Sequence, residues 1–217
     1  MSEQLNLTHV KPEDIEATSF EIISRELGPL DLDPQTELVV KRVIHTTADF
    51  DYAKTLHFTA HAVERGVEAL RGGATVITDT SMVAAGINKR VLGSFGGRVC
   101  TFIADADVAA EAKRRGLTRS AVSMERAAQL PGTLVFAIGN APTALVSLAR
   151  MLNDGSLPRP ALIVGVPVGF VNVVESKELI MATDVESIVA RGRKGGSNVA
   201  AAIVNALLYL ASDNRRE

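Results

Sequence analysis

Five short apolar runs separated by helix-length segments constrain this chain most. They are ATVITDT (74–80), RVCTFI (98–103), TLVFAIG (133–139), ALIVGVP (161–167) and VESIVARG (185–192). Each is rich in β-branched residues, and most show no polar alternation, as expected of strands buried on both faces. Between and after them lie SMVAAGI (81–87), Asp107 to Arg115, Arg119 to Leu130, GNAPTALVSLARMLNDG (139–155), Ser176 to Met181 and Gly195 to Leu210, all read as helices. Strands alternating with helices imply an α/β fold, a three-layer α/β/α sandwich around a mostly parallel five-stranded sheet. There is no internal repeat, low-complexity tract or linker, so residues 1–217 are expected to form one domain.

The sequence before Gly72-Gly73 reads differently, as two or three extra N-terminal helices. The first ten residues are polar and expected to be extended. Pro12 opens a helix with Glu13 and Asp14 in its first turn, where the macrodipole favours acids. Ile15, Phe20, Ile22, Ile23 and Leu27 are its expected buried stripe, and Gly28-Pro29 ends it. Mid-helix Thr18 and Ser19 either bond back to the preceding turn or point at a ligand. Asp33 then caps a helix that has Pro34 in its first turn. Leu38, Val39, Arg42, Val43 and Thr46 recur on one face of it, and His45 falls on its last turn. A third helix is expected from about Ala53 to Arg71. It would bring His57 and His61 onto one face, a spacing that holds zinc only with a third ligand. A packed or hydrogen-bonded pair, with no metal, is the expectation.

Composition narrows the function classes. The net charge is −2 with no long single-sign run, which argues against a nucleic-acid or membrane-surface protein. No segment offers the apolar length of a membrane span. The first residues, MSEQLNLTHVKPEDIE, lack the apolar core of a signal peptide, and one cysteine excludes an internal disulfide. A cytoplasmic protein is expected. Cys100, within VCTFI, is expected to be buried and inert.

In open α/β sheets ligands bind beyond the carboxyl ends of the strands. Four loops there carry unusual polar or glycine-rich sequences: Asp79-Thr80-Ser81-Met82, Gly139-Asn140-Ala141-Pro142-Thr143, Gly165 to Phe170, and Gly192 to Asn198. Glycine lets backbone approach a ligand closely, and helix N-termini offer free N–H groups to anions. Arg191, Arg193 and Lys194 suit carboxylates or phosphates. The nucleotide signatures GxGxxG and GxxxxGK[ST], the GxSxG elbow and HExxH are all missing. The candidate proton carrier is His45, because histidine ordinarily titrates near neutral pH. Asp49 and Asp79 are its candidate orienting groups. Residue by residue, this describes an anion-accepting pocket with one histidine, suited to proton transfer or isomerisation.

Seven strings carry a resemblance: SFEII (19–23), VKRVIHTTAD (40–49), DTSMVAAGI (79–87), TRSA (118–121), AIGNAPTAL (137–145), PVGFVNVVESK (167–177) and GRKGGSNVAAAIVNAL (192–207). Together, and in order over nearly the whole chain, they resemble the precorrin-8X methylmutase and cobalt-precorrin-8 methylmutase family. The resemblance implies a flavodoxin-like fold and a homodimer whose two subunits both shape the site. It also implies an isomerase of corrin-ring biosynthesis, which moves a methyl group from C11 to C12 of precorrin-8X or cobalt-precorrin-8 without a separate cofactor. The family's catalytic histidine matches His45, and its substrate-contacting serine and arginine match Ser19 and Arg42. To these the loops add Thr46, Asp79, Met82, Arg119, Ser120, Gly139, Asn140, Ala141, Gly169, Arg193, Gly195 and Gly196 as candidate contacts to a polycarboxylate corrinoid. Two other classes stay open: a tetrapyrrole or corrinoid carrier without turnover, and a nucleotide- or phosphate-dependent transferase using the Arg191–Ser197 loop.

Overall fold

A computed structural model describes residues 10–212. The extended arm expected for the first ten residues lies outside the described residues, Val10 apart. A short 3-10 turn at Pro12–Asp14 leads into α1 (Ile15–Leu27), followed by α2 (Pro34–Thr47), α3 (Tyr52–Thr55), β1 (Leu56–Phe58) and α4 (Ala62–Arg71). The α/β region comprises β2 (Thr75–Thr78), α5 (Ser81–Gly86), α6 (Lys89–Ser94), β3 (Arg98–Cys100), α7 (Ala106–Arg115), α8 (Arg119–Ala127) and β4 (Leu134–Ile138). It continues through α9 (Pro142–Asn153), β5 (Leu162–Gly165), α10 (Val173–Met181), β6 (Ser187–Ala190) and α11 (Ser197–Ala211).

One sheet in the order β1-β6-β5-β4-β2-β3 runs through the molecule. The pairings β3-β2-β4-β5-β6 are all parallel, in the flavodoxin-like order, and β1 is antiparallel to β6. The sheet has six strands rather than the expected five. The extra one is β1, which lies inside the segment expected to be a single helix from Ala53 to Arg71. Leu56, His57 and Phe58 pair with Ala190, Val189 and Ile188 and so cover the open edge of β6. Thr59 extends this pairing, its N–H donating to Ser187 O at 3.1 Å. Pairing available only in three dimensions overrides the helical pattern, and His57 and His61 no longer share a helix face.

The continuous apolar runs are explained by burial on both faces. On β4, Val135 and Ala137 face α2, α4 and α11, while Leu134, Phe136 and Ile138 face α8, α9 and α10. Helix α11 is central to the first layer and packs on α2, α4 and α5; α9 holds the second, between α8 and α10. The Asp33 cap forms as expected, its carboxylate accepting from the N–H groups of Gln35 and Thr36.

Other expectations change. Helix α1 packs on the outer side of α2, so only Ile23 of its stripe is fully buried, with Ile15 and Ile22 exposed. The buried face of α2 is Thr36, Val39, Val40, Val43 and Ile44, not the Arg42–Thr46 side. Helix α6, capped by Asn88, was not expected, α10 begins at Val173 rather than Ser176, and Cys100 is half-buried.

Candidate active site

The order of the parallel strands reverses between β2 and β4, which opens a crevice at their carboxyl ends. Asp79 closes β2 with no solvent exposure. One carboxylate oxygen accepts from Gly139 N–H at 3.0 Å; the other accepts from Asn140 and Ala141 N–H at 2.8 and 2.7 Å. Burial pushes the Asp79 carboxyl above the ordinary value, and the three N–H bonds pull it back. Asp79 therefore holds the GNAP loop in shape rather than orienting His45. Gly139 is required here: a Cβ would stand 2.7 Å from Ser197 Cα, so the GNAP loop and the start of α11 touch through backbone. Thr80 Oγ1 lies 3.2 Å from Ser197 Oγ across the same junction.

The loops after β5 and β6 are also tied together. Gly169 N–H donates to Arg193 O, and Gly196 N–H to Val166 O. Gly195 has φ +157°, and a Cβ there would come 2.1 Å from Val166 O, so no other residue fits. Arg193 is exposed, its guanidinium 5.5 Å from the Phe170 ring centroid. Phe170 and Val171 are 83% and 77% exposed, and Met82 on α5 is 70% exposed. Arg119 and Ser120 open α8; its cap Thr118 lies 2.8 Å, Oγ1 to Oγ1, from Thr143 of α9. Lys194 is already engaged, its Nζ donating to Asp49 at 2.6 Å and Asp51 at 2.7 Å. That bond holds the Asp49 carboxyl below its usual value. Asp49 thus serves the loop, and neither expected partner orients the histidine.

His45 sits in a second cluster, built by α1, α2 and α11. Its exposed ring stacks on Phe20, centroids 5.4 Å apart at 30°. One turn earlier, the Arg42 guanidinium lies between Phe20 at 4.7 Å and Tyr209 at 4.9 Å, and pairs with Glu16 at 2.5 Å. Arg42 Nε is buried with no hydrogen-bond partner. Glu16, Phe20, Arg42 and Tyr209, with Glu13, Ala17 and Leu38, line an open cavity of about 340 Å³; His45 stands beside it and is not part of the lining. Ser19 Oγ donates to Ile15 O at 2.8 Å and Thr46 Oγ1 to Arg42 O at 3.0 Å, so both hydroxyls bond back to the preceding turn.

The structure thus sorts the expected residues into two groups. Ser19, Arg42, His45 and Thr46 share the helical cluster. Asp79, Met82, Arg119, Ser120, Gly139, Asn140, Ala141, Gly169, Arg193, Gly195 and Gly196 belong to the sheet-edge loops. Among the described residues, no hydrogen bond or ion pair joins a member of one group to a member of the other; the link is indirect, through Lys194 and the Asp49–Asp51 segment after α2. Glu16, Phe20, Tyr209 and Lys177 were not anticipated. The signal for the first two was present: Glu16 and Phe20 stand four residues apart on α1 and so share one face. His57 and His61 take separate partners, Arg191 at 3.3 Å and Glu64 at 3.1 Å. Among the described residues no group of three or more His, Cys, Asp or Glu side chains is placed to hold a metal ion.

Fold and site define a flavodoxin-like α/β protein with glycine loops and cations at the carboxyl edge of its sheet and a histidine on a flanking helix. Residues 14–210 match the family model for precorrin-8X methylmutase. Cobalt-precorrin-8 methylmutase of Salmonella typhimurium is 47% identical over 205 residues, 92% of this chain and 95% of the relative. Precorrin-8X methylmutase of Pseudomonas aeruginosa is 43% identical over 192 residues, 87% of this chain and 91% of the relative. The crystal structure of precorrin-8X methyl mutase from Thermus thermophilus superposes with a TM-score of 0.84 at 40% identity, covering 92% of this chain and 98% of that one. The chain belongs to the precorrin-8X methylmutase family, whose members are isomerases of cobalamin biosynthesis.

Proposed function

We propose that the chain, acting as one domain, moves a methyl group from C11 to C12 of precorrin-8X or cobalt-precorrin-8, giving hydrogenobyrinic acid or cobyrinic acid. The observation that carries this reading is His45, exposed and stacked on Phe20 one turn from an arginine whose Nε has no partner. His45 lends a proton to the macrocycle; the C11–methyl bond breaks as the C12–methyl bond forms, and the proton returns. No proton is gained or lost overall, as an isomerisation requires, and the residues need no separate cofactor. General acid–base catalysis of this kind contributes about 10²–10⁴-fold, with the rest of the acceleration coming from holding the ring in a reactive geometry.

The substrate's acetate and propionate arms meet Arg42, Arg119 and Arg193, whose forked donors match carboxylates. Arg42 exchanges Glu16 for a substrate carboxylate. Ser19, Thr46 and Met82 complete the lining with the glycine loops. The working form is a homodimer with its site near the subunit interface. Two observations support this: among the described residues no direct hydrogen bond or ion pair joins the His45 cluster to the glycine loops, and Phe170, Val171 and Met82 project into solvent. Among the described residues no helix is long and apolar enough to cross a membrane. A cytoplasmic enzyme without nucleic-acid partners accords with the charge balance.

The test is an absorption spectrum with precorrin-8X, then with cobalt-precorrin-8, for wild type beside His45→Ala. Migration of the methyl changes ring conjugation, so wild type shifts the visible bands and the variant turns over at least about 10²-fold more slowly while still binding. Ring binding with no spectral change in wild type overturns the isomerase reading and leaves a carrier.

A further inference from the structure

Among the described residues, Lys177 on α10 is the lysine or arginine with no solvent exposure at all. Its Nζ donates to Gly192 O at 2.8 Å and to Lys194 O at 2.9 Å. Both acceptors are neutral, and among the described residues no carboxylate forms an ion pair with it. An ammonium withdrawn from water without a counter-charge is unfavourable for the fold. What it gains is a hold on the loop: its two acceptors flank residue 193 on either side. The same peptide is held from the opposite direction, where Arg193 O accepts from Gly169 N–H. With its backbone clamped, Arg193 has its guanidinium free to face solvent over Phe170.

We propose that Lys177 is a positioning residue for the ring substrate: its ammonium holds the Gly192 and Lys194 carbonyls inward so that Arg193 is presented to a substrate carboxylate, and ring affinity falls when that ammonium is neutralised. This rests on the corrinoid reading of the site. Burial alone brings the Lys177 pKa down to about 8. Charged donors bond about twice as strongly as neutral ones, so loss of the proton loosens the clamp. The charged and titratable groups on the elements around it are Glu175 and Glu178 on α10, Arg150 on α9, His57 on β1, and Arg191, Arg193 and Lys194 beyond β6. Burial and Arg191 lower the His57 pKa, and Asp49 and Asp51 raise that of Lys194. Guanidinium groups keep their charge throughout. Burial thus brings the Lys177 proton loss into the range between pH 7 and 9, while the His57 and Lys194 shifts run away from that range.

The experiment measures the dissociation constant of hydrogenobyrinic acid by absorption titration at pH 7.0 and 9.0 for wild type, Arg193→Ala and Lys177→Met. In parallel, trypsin cleavage after Arg193 and Lys194 is followed in the ligand-free proteins. At pH 9 about nine-tenths of Lys177 is neutral, so wild-type affinity falls by up to about tenfold and loop cleavage rises relative to other sites. Arg193→Ala binds more weakly at pH 7 and changes little with pH, because the group being presented is gone. Lys177→Met, if it folds, is cleaved rapidly at both values. The wild-type and Arg193→Ala series do not depend on that variant. Flat wild-type affinity and cleavage, or an undiminished alkaline fall in Arg193→Ala, overturns the proposal. Cleavage that rises with pH in a wild type that binds no ring at pH 7 upholds the clamp and overturns the corrinoid reading instead.

Discussion

Asp79→Ala tests whether one buried carboxylate builds the GNAP loop. The substitution removes an acceptor group that serves three N–H donors at 2.7 to 3.0 Å, and Gly139 and Ala141 have no solvent to turn to. A buried donor left unpaired costs roughly 1–3 kcal/mol. Two such donors, with the more exposed Asn140 N–H adding little, and less the relief of no longer burying a charge, give about 3 kcal/mol. For a chain of this size that lowers Tm by roughly 6–12 °C, measured by thermal denaturation alongside urea titration. Asp79→Asn recovers little, because its amide turns donors toward donors. The pH dependence has a definite sign. The folded-state pKa is raised from 3.8, so between 3.8 and the raised value the folded protein binds more protons than the unfolded chain. Stability contributed by Asp79 is therefore greatest below 3.8 and declines as pH rises through the folded pKa. The gap between wild type and Asp79→Ala narrows across that window. A Tm within 2 °C of wild type at neutral pH, or a gap that widens with pH, would refute this account of the loop.

Three other outcomes follow from the geometry. Gly195→Ala places a methyl 2.1 Å from Val166 O at φ +157°, so it should displace the loop after β6 and weaken ring binding at least tenfold, read by absorption titration. Asp33→Ala removes the acceptor for Gln35 and Thr36 N–H and should cost about 1 kcal/mol in urea denaturation, without altering ring affinity. The His57 pKa is lowered by burial first and by Arg191 second. Arg191→Ala should raise it only partway toward 6.5 in an NMR titration of the ring proton, and an unchanged value would refute the Arg191 contribution.

The parallel sheet was legible because burial on both faces leaves a mark that survives in one dimension. TLVFAIG has to be apolar at every position, since Leu134 and Phe136 meet one helical layer while Val135 and Ala137 meet the other. The edge strand β1 left no such mark. LHF is three residues long, half-buried, and defined only by its pairing with Ile188–Ala190. Local helical spacing across Ala53–Arg71 was therefore misleading, because hydrogen bonds to a strand about 130 residues away decided the conformation.

For the site the division is similar. The sequence alone determined where chain geometry would be unusual: the cap at Asp33, the glycines at 139, 195 and 196, and the histidine ending α2. Residue type marks such places, through a special φ, an N–H group needing an acceptor or a missing Cβ, although the backbone that crowds Gly139 and Gly195, at Ser197 and Val166, is brought there by the fold. Tertiary structure decided which charges meet. It paired Arg42 with Glu16 and Lys194 with Asp49 and Asp51, turned Asp79 from a candidate partner of His45 into the anchor of the GNAP loop, and buried Lys177 under the carbonyls on either side of Arg193. Coulombic and hydrogen-bonding partners are selected by distance in space and by exclusion of water, and neither quantity exists until the helices have packed on the sheet.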